Sequence, residues 1–234
     1  MGKVVAIGGI DLCKPGRSLI MEKISALAGD GANRKMVYLP TAQRDSGRDE
    51  AFIREYFGSL GFAAKPLYLT DAGLSDAYIR DTILGADMIY ASGGNLKFLM
   101  ETWRARKADV YLRQAYEQGT VLAGTSSGAM CWFRRGYDDC GIGGRPMFIE
   151  GVGLFPYCLC PHFENENWHK FTDAVQMQEL DGLGVDDDAA LVFCDGKVSI
   201  LRNYPDKEAG AYLMRAKEDY RLQDLSQFED EFFL

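Results

Sequence analysis

Three short stretches of this chain carry the residue types that acyl transfer requires. The first is Gly124-Thr125-Ser126-Ser127-Gly128, preceded by an apolar run at 120–123 and followed by a segment that reads as a helix from about Gly128. A strand, then Gly-x-Ser-x-Gly, then a helix is the context of a nucleophile elbow. The serine sits on a sharp turn, and the flanking glycines remove side chains that would clash there. The hydroxyl then projects above the sheet edge, beside N–H groups suited to a developing oxyanion. The second stretch is Leu159-Cys160-Pro161-His162-Phe163, where an apolar strand ends. A serine nucleophile needs a base, and the chain has only two histidines, His162 and His169. His162 lies at a strand end, where catalytic groups gather in parallel sheets. His169 sits in a polar helix start and reads as solvated. The third stretch is Gly184-Val185-Asp186-Asp187-Asp188, three acids at the entry to an apolar run. One of them can hold the histidine in its working tautomer. Strand alternation sets Asp187 on the face opposite Asp186 and Asp188, and Asp138 and Asp139 are the rival carboxylates. A second oxyanion donor fits Ser92-Gly93-Gly94-Asn95, where glycines let backbone N–H groups approach a substrate. Each stretch alone also has a bland reading: a helix-capping serine, a satisfied histidine, solvated turn acids and an ordinary Gly-Gly turn.

Those residues need elements to hold them. Residues 4–7, 36–39, 64–69, 88–90 and 120–123 are short apolar runs. Between them 18–28, 50–60, 76–84, 96–101 and 109–118 are helical, as shown by Phe52, Ile53, Tyr56, Phe57 and Leu60 at spacings of three and four. This alternation predicts an α/β fold, a mostly parallel central sheet with helices on both faces. The pattern changes after about residue 133. Residues 136–144 read as a polar glycine-rich loop, 151–161 as strand-like around Pro156, and 168–180 as a helix. Residues 189–193 and 198–201 flank Asp195-Gly196, a hairpin-turn dipeptide. The tail 218–234 carries six acids and one cation, Arg221, and reads as a solvated face whose apolar end docks back. No linker, repeat or low-complexity segment interrupts residues 1–234, which predicts a single domain.

Composition narrows the partners. The apolar share of 47% in 234 residues supports a sizeable core and excludes wholesale disorder. A net charge of −8 argues against nucleic acid or an anionic membrane as the main partner. Residues 1–9 are too short in apolar character for a signal peptide, and no run approaches a membrane span, so the expected address is cytoplasmic. The six cysteines are expected to be reduced thiols. Cys158-x-Cys160-x-His162 could suggest zinc, but alternate residues on a strand stand ~6.6 Å apart and do not converge on one ion. No metal or other cofactor is expected. The expected partner is a small peptide substrate, and the assembly a monomer or homodimer.

In order, Gly93-Gly94-Asn95, Gly124-Thr125-Ser126-Ser127-Gly128-Ala129, Pro161-His162-Phe163 and Gly184-Val185-Asp186-Asp187 resemble the aspartyl dipeptidase (peptidase E) family and its relative cyanophycinase. The resemblance runs from the first strand to about residue 201. It implies a serine peptidase on a class I glutamine amidotransferase-like α/β sandwich, with no metal. It assigns Ser126 as nucleophile, His162 as base, and the amides of Gly93, Gly94 and Ser127 as oxyanion donors, with Asn95 beside them. Asp187 stands where the family usually has glutamate, and Ser127 where it commonly has alanine. The family places an arginine after the histidine for the substrate's carboxylate. Residues 163–201 hold Lys170 and Lys197 but no arginine, and Glu164 and Glu166 follow His162 directly. The implied activity is therefore a dipeptidase or small-peptide hydrolase without strict aspartyl specificity. Arg44, Asn95, Arg134, Arg135 and Glu164 are candidates to line its cleft. Two other readings share the elbow. An α/β esterase-type hydrolase would need Asp138 or Asp139 as its acid, because there the carboxylate precedes the histidine. A catalytically silent binding protein would keep the fold alone.

Overall fold

The computed structural model describes residues 2–11, 18–165, 170–204, 208–216 and 222–224. The first half alternates as expected: β1 (Lys3–Ile7), α1 (Leu19–Leu27), β2 (Arg34–Leu39), α2 (Glu50–Ser59), β3 (Phe62–Pro66), α3 (Asp76–Leu84), β4 (Met88–Ala91), α4 (Leu96–Ala105), α5 (Ala108–Gln118) and β5 (Val121–Thr125). Ser18, Ser75 and Asn95 cap α1, α3 and α4, each side-chain oxygen accepting an otherwise orphaned N–H of the first turn. The second half holds α6 (Ser127–Met130), β6 (Phe133–Asp138), β7 (Met147–Glu150), β8 (Phe155–Pro161), α7 (Lys170–Gln176), β9 (Gly182–Val185), β10 (Ala189–Cys194), β11 (Lys197–Arg202), β12 (Ala211–Met214) and β13 (Leu222–Asp224).

Two sheets result. One has the order β11-β10-β1-β5-β4-β2-β3, with β1, β5, β4, β2 and β3 parallel and the β10–β11 hairpin antiparallel. The hairpin turns at Asp195-Gly196, both with positive φ as a two-residue turn requires. The other has the order β13-β12-β9-β8-β6-β7, with β6, β8 and β9 parallel at its centre. Alternating residues divide the first sheet's faces. Val5, Ile7, Met36, Tyr38, Met88 and Tyr90 pack on α1 and α2. Val4, Ala6, Val37, Leu39, Ile89 and Leu191 face α3, α4 and α5 together with Leu159, Leu183 and Val185 of the second sheet. Phe171 and Val175 of α7 cover the far face of that sheet, over Cys158 and Cys160.

This is the α/β architecture expected, with a second sheet that the sequence pattern did not separate from the first. Gly136 lies inside β6 rather than in a loop, paired with Ile149 and Leu159, and glycine suits it because a Cβ there would press on Leu96 and Met130. The expected helix after the elbow is a single turn, α6, since the chain must swing at once into β6. His169 and the start of the helix expected at 168 lie outside the described residues. So does the tail, except for β13, which pairs with β12. Cys131, Cys140, Cys158, Cys160 and Cys194 are free thiols. Among the described residues, no helix is long and apolar enough to cross a membrane.

The elbow depends on close backbone contact. A Cβ on Gly128 would lie 2.1 Å from the Ala91 carbonyl oxygen, whereas one on Gly58, on the exposed side of α2, would meet nothing within 4 Å. Gly128→Ala is expected to destabilise by about 1–3 kcal/mol through forced backbone displacement. Gly58→Ala should stabilise by up to about 1 kcal/mol through helix propensity. Thermal melting of the two variants should therefore move in opposite directions, by roughly 2–4 °C per kcal/mol at this size.

Candidate active site

Parallel strands aim their carboxyl ends at one edge, and here five of those ends converge. β1 runs into Gly8-Gly9, β4 into Ser92-Gly93-Gly94, β5 into Ser126, β8 into His162, and β9 into Asp186-Asp187. The Ser126 N–H donates to the Ile7 carbonyl at 3.1 Å, which holds the elbow against β1. Ser126 has φ 55 and ψ −121, a conformation an L-residue adopts only under constraint. His162 also has positive φ, 52. Its carbonyl accepts from Asn165 N at 3.0 Å and the next N–H, of Phe163, donates to Val185 O at 3.1 Å, so the chain turns back over the end of β9.

The turn sets the imidazole between the other two residues. His162 Nε2 lies 3.0 Å from Ser126 Oγ, and Nδ1 lies 2.5 Å from Asp187 Oδ1. A carboxylate can only accept, so Nδ1 carries the proton and Nε2 is left to accept from the serine hydroxyl. Burial of the ring pulls its pKa down. The hydrogen bond and charge of Asp187, with smaller contributions from Glu164 and Asp139, outweigh burial and hold the pKa above the ordinary histidine value.

The three adjacent acids separate as alternation predicts. Asp186 and Asp188 are buried, whereas the Asp187 side chain is about half exposed and faces His162. Asp186 Oδ2 accepts from Gly210 N at 2.8 Å and Tyr212 Oη at 3.1 Å, and Asp188 Oδ1 accepts from Asn203 Nδ2 at 3.3 Å. The rival carboxylates are elsewhere. Asp138 is buried and accepts from Leu96 N at 3.2 Å and Cys140 N at 2.9 Å. Burial pushes its pKa up. Asp139 is exposed and reaches the imidazole only through its charge.

Gly93 and Gly94 line the other side of the serine. A Cβ on Gly93 would stand 3.0 Å from the Ser126 Cβ, and one on Gly94, at φ 145, would lie 2.4 Å from the Ala42 carbonyl oxygen. The Gly93, Gly94 and Ser127 N–H groups donate to no backbone carbonyl among the described residues. Ser127 explains itself here: its Oγ lies 2.7 Å from the Gly94 carbonyl and 3.0 Å from Asp138 Oδ2, bridging the glycine loop and the end of β6. Asn95 instead spends its side-chain oxygen on the Phe98 N–H, 2.7 Å away, as the cap of α4. Arg44 stacks its guanidinium 4.3 Å from the Phe98 ring centre. Arg134 and Arg135 pair with Glu150, and register sets Arg135 beside Cys158, four residues short of His162. Cys158 and Cys160 are buried in the apolar layer under α7, where burial raises both thiol pKa values. Among the described residues, no group of three or more His, Cys, Asp or Glu is arranged to hold a metal ion.

The sequence pattern of peptidase family S51 matches residues 4–201, so the chain belongs to that family, the peptidase E family of serine-type peptidases. An uncharacterized peptidase of Bacillus subtilis, YgaJ, is 27% identical over 201 residues, covering 85% of this chain and 86% of that protein. An uncharacterized peptidase of Pasteurella multocida is 27% identical over 163 residues, 64% of this chain and 73% of its own. Among solved structures, a peptidase from an acI-B1 Actinobacterium superposes with a TM-score of 0.70 at 18% identity, over 100% of this chain and 97% of that one. A putative peptidase E protein from Listeria monocytogenes gives 0.63 at 17% identity, over 86% and 98%. These two likenesses show the shared fold.

Gly8 and Gly9 are site residues that the motif reading passed over. A Cβ on Gly9 would fall 1.8 Å from Asp187 Oδ1 and 2.6 Å from His162 Cε1, and one on Gly8 would fall 2.1 Å from the Asp186 carbonyl oxygen. The signal was available, a Gly-Gly directly after an apolar strand, the same pattern as Gly93-Gly94. Gly9→Ala is expected to fold but to push the His162–Asp187 pair aside, lowering turnover on the order of 100-fold or more. Circular dichroism with hydrolysis rates checks this, and an active Gly9→Ala enzyme would contradict the packing described.

Proposed function

We propose that the protein hydrolyses small peptides through an acyl-enzyme on Ser126, with His162 as general base and Asp187 as the acid that orients it. One observation carries the reading: a continuous hydrogen-bonded line from Ser126 Oγ through both imidazole nitrogens to the Asp187 carboxylate, 3.0 and 2.5 Å long. Nε2 takes the hydroxyl proton as Oγ attacks the substrate carbonyl carbon, and Asp187 stabilises the imidazolium. The new oxyanion would be met by the N–H groups of Gly93, Gly94 and Ser127, which donate to no backbone carbonyl among the described residues and would replace solvent as hydrogen-bond donors. Collapse of the tetrahedral intermediate breaks the C–N bond, and the amine leaves with the proton from Nε2. Water then enters by the same base and releases the acid product.

The carboxylate follows the histidine in the chain, the order of this family and not of the α/β esterases. Carboxyl groups rather than an arginine stand after His162. That supports peptide substrates without a required N-terminal aspartate, and dipeptides, longer peptides and esters are the screen to apply.

A fluorophosphonate should form one adduct, at Ser126. Labelling that survives in Ser126→Ala, or none in the wild type, would overturn the proposal, the second outcome favouring a silent binding protein. Asp187→Asn should keep the fold and lower kcat by up to roughly 10,000-fold, because an amide can hold the wrong tautomer. Asp138→Asn and Asp139→Asn should retain their chemistry far better. The base must be neutral to accept a proton. Since Asp187 raises the pKa of His162, kcat/KM should fall as pH drops through a midpoint above 6.5, the ordinary histidine value.

A further inference from the structure

We propose that the Ser127 hydroxyl is a positioning group that pins the glycine loop bearing two of the oxyanion donors to the elbow; this rests on the Ser126–His162–Asp187 reading. Gly93 and Gly94 must lack side chains for their backbone to approach Ser126, and two successive glycines leave a loop unusually free to swing. A swinging N–H is a poor donor, because an oxyanion gains most from donors already aimed at it. The loop therefore needs a fastening from outside itself, and one peptide unit receives it. The Asn95 N–H donates to the Ala42 carbonyl at 2.9 Å. The carbonyl of the same unit, that of Gly94, accepts from Ser127 Oγ at 2.7 Å. No backbone N–H among the described residues donates to that carbonyl. Held at its N–H alone, the unit could pivot about that bond; held at both ends, it is fixed. The Gly94 N–H is one Cα away, across a φ of 145 that side-chain-bearing residues rarely adopt.

The far side of Ser127 is itself anchored. Ser127 is 1% exposed and Asp138, behind it, 2%. The hydroxyl has a second acceptor in Asp138 Oδ2, 3.0 Å away. Backbone amides hold that carboxyl in turn: Leu96 N donates to Oδ2 at 3.2 Å and Cys140 N to Oδ1 at 2.9 Å. The start of α4, the end of β6 and the residue after the nucleophile thus meet in one network shielded from water. Ser127 carries the third oxyanion donor on its own backbone. Its side chain therefore sets the separation between donors that come from two different strand ends, β4 for the glycines and β5 for Ser127. Alanine, which the peptidase E family commonly has at this position, offers no hydroxyl for the Gly94 carbonyl. This fastening belongs to the present sequence.

Ser127→Ala keeps the backbone N–H, removes only the hydroxyl and suits a helical position, so the variant should fold. Removing an oxyanion donor outright costs about 100- to 1,000-fold in kcat. Loosening donors that remain should cost less: the second-order rate of fluorophosphonate labelling should fall about 10-fold, since the phosphoryl oxygen needs the same N–H groups. The pH midpoint of labelling should stay within about 0.3 unit of the wild type, because His162 and Asp187 are untouched. A hydroxyl that served only stability would lower Tm and leave the labelling rate of the folded protein unchanged. A second readout needs no reaction at Ser126. Followed by NMR, hydrogen exchange at the Asn95 amide should quicken at least about 10-fold in Ser127→Ala, while the amides of β1 and β5 keep their protection. An unchanged labelling rate, a displaced midpoint or unchanged exchange at Asn95 would each overturn the proposal. A wild type that fluorophosphonate does not label would instead sink the triad reading, and the exchange experiment would still judge the fastening.

Discussion

The contact on which the site depends is that of the His162–Asp187 pair against Gly9. Both side chains project from turns at the ends of the second sheet, yet they close on a serine carried by the first. The two sheets meet there with no side chain on the β1 loop to separate them. The Asp188 N–H to Gly9 carbonyl bond and the parallel bridge between Gly9 and Asp187 fix that approach. Gly128 does the same beside Ser126, where backbone meets backbone at distances a Cβ would forbid, and a Cβ on Gly93 would crowd the Ser126 Cβ at 3.0 Å. The absence of side chains at these few positions lets three polar residues from two sheets form one line.

Constraint of this kind shows in the backbone. Ser126, His162 and Asp188 all have positive φ without being glycine. Such conformations cost on the order of 1–3 kcal/mol each and persist where surroundings over-determine them. Here the surroundings are visible: Ser126 is held by Ile7, the His162 turn by Val185 and Asn165, and Asp188 by Gly9 and Asn203. The elbow turn is followed by only one helical turn, so on the proposed reading an oxyanion there would be stabilised by individual N–H groups and little by a helix dipole, which grows with aligned peptides.

The acids around His162 have distinct environments because burial and partners differ. Asp138 is buried and ties the glycine loop to β6 through Ser127. Asp186 and Asp188 are buried and anchor the strand entry to β12 and to the end of β11. Only Asp187 turns outward to the imidazole. Residues 163–201 hold no arginine, and Glu164 and Glu166 follow His162 directly, which supports the proposed reading of a peptidase without strict aspartyl specificity.

Much of this was legible in the sequence because it rests on local patterns. Short, near-continuous apolar runs separated by amphipathic helices marked the parallel sheet, and Asp195-Gly196 its hairpin. Gly-x-Ser-x-Gly after a strand marked Ser126, scarcity singled out His162, and alternation separated Asp187 from its neighbours. Other features were decided only in three dimensions, because they join residues far apart in the chain. A second sheet could not be told from the first, since both are built of similar short apolar runs and differ only in which strands pair. Gly9 looks like any turn glycine until His162 and Asp187, more than 150 residues away, press against it. Glu164 read as a charge beside the site, and only the fold turned its carboxyl onto the Asp187 amide. Local sequence sets which residues can turn, alternate or donate; packing between distant strand ends sets which of them meet.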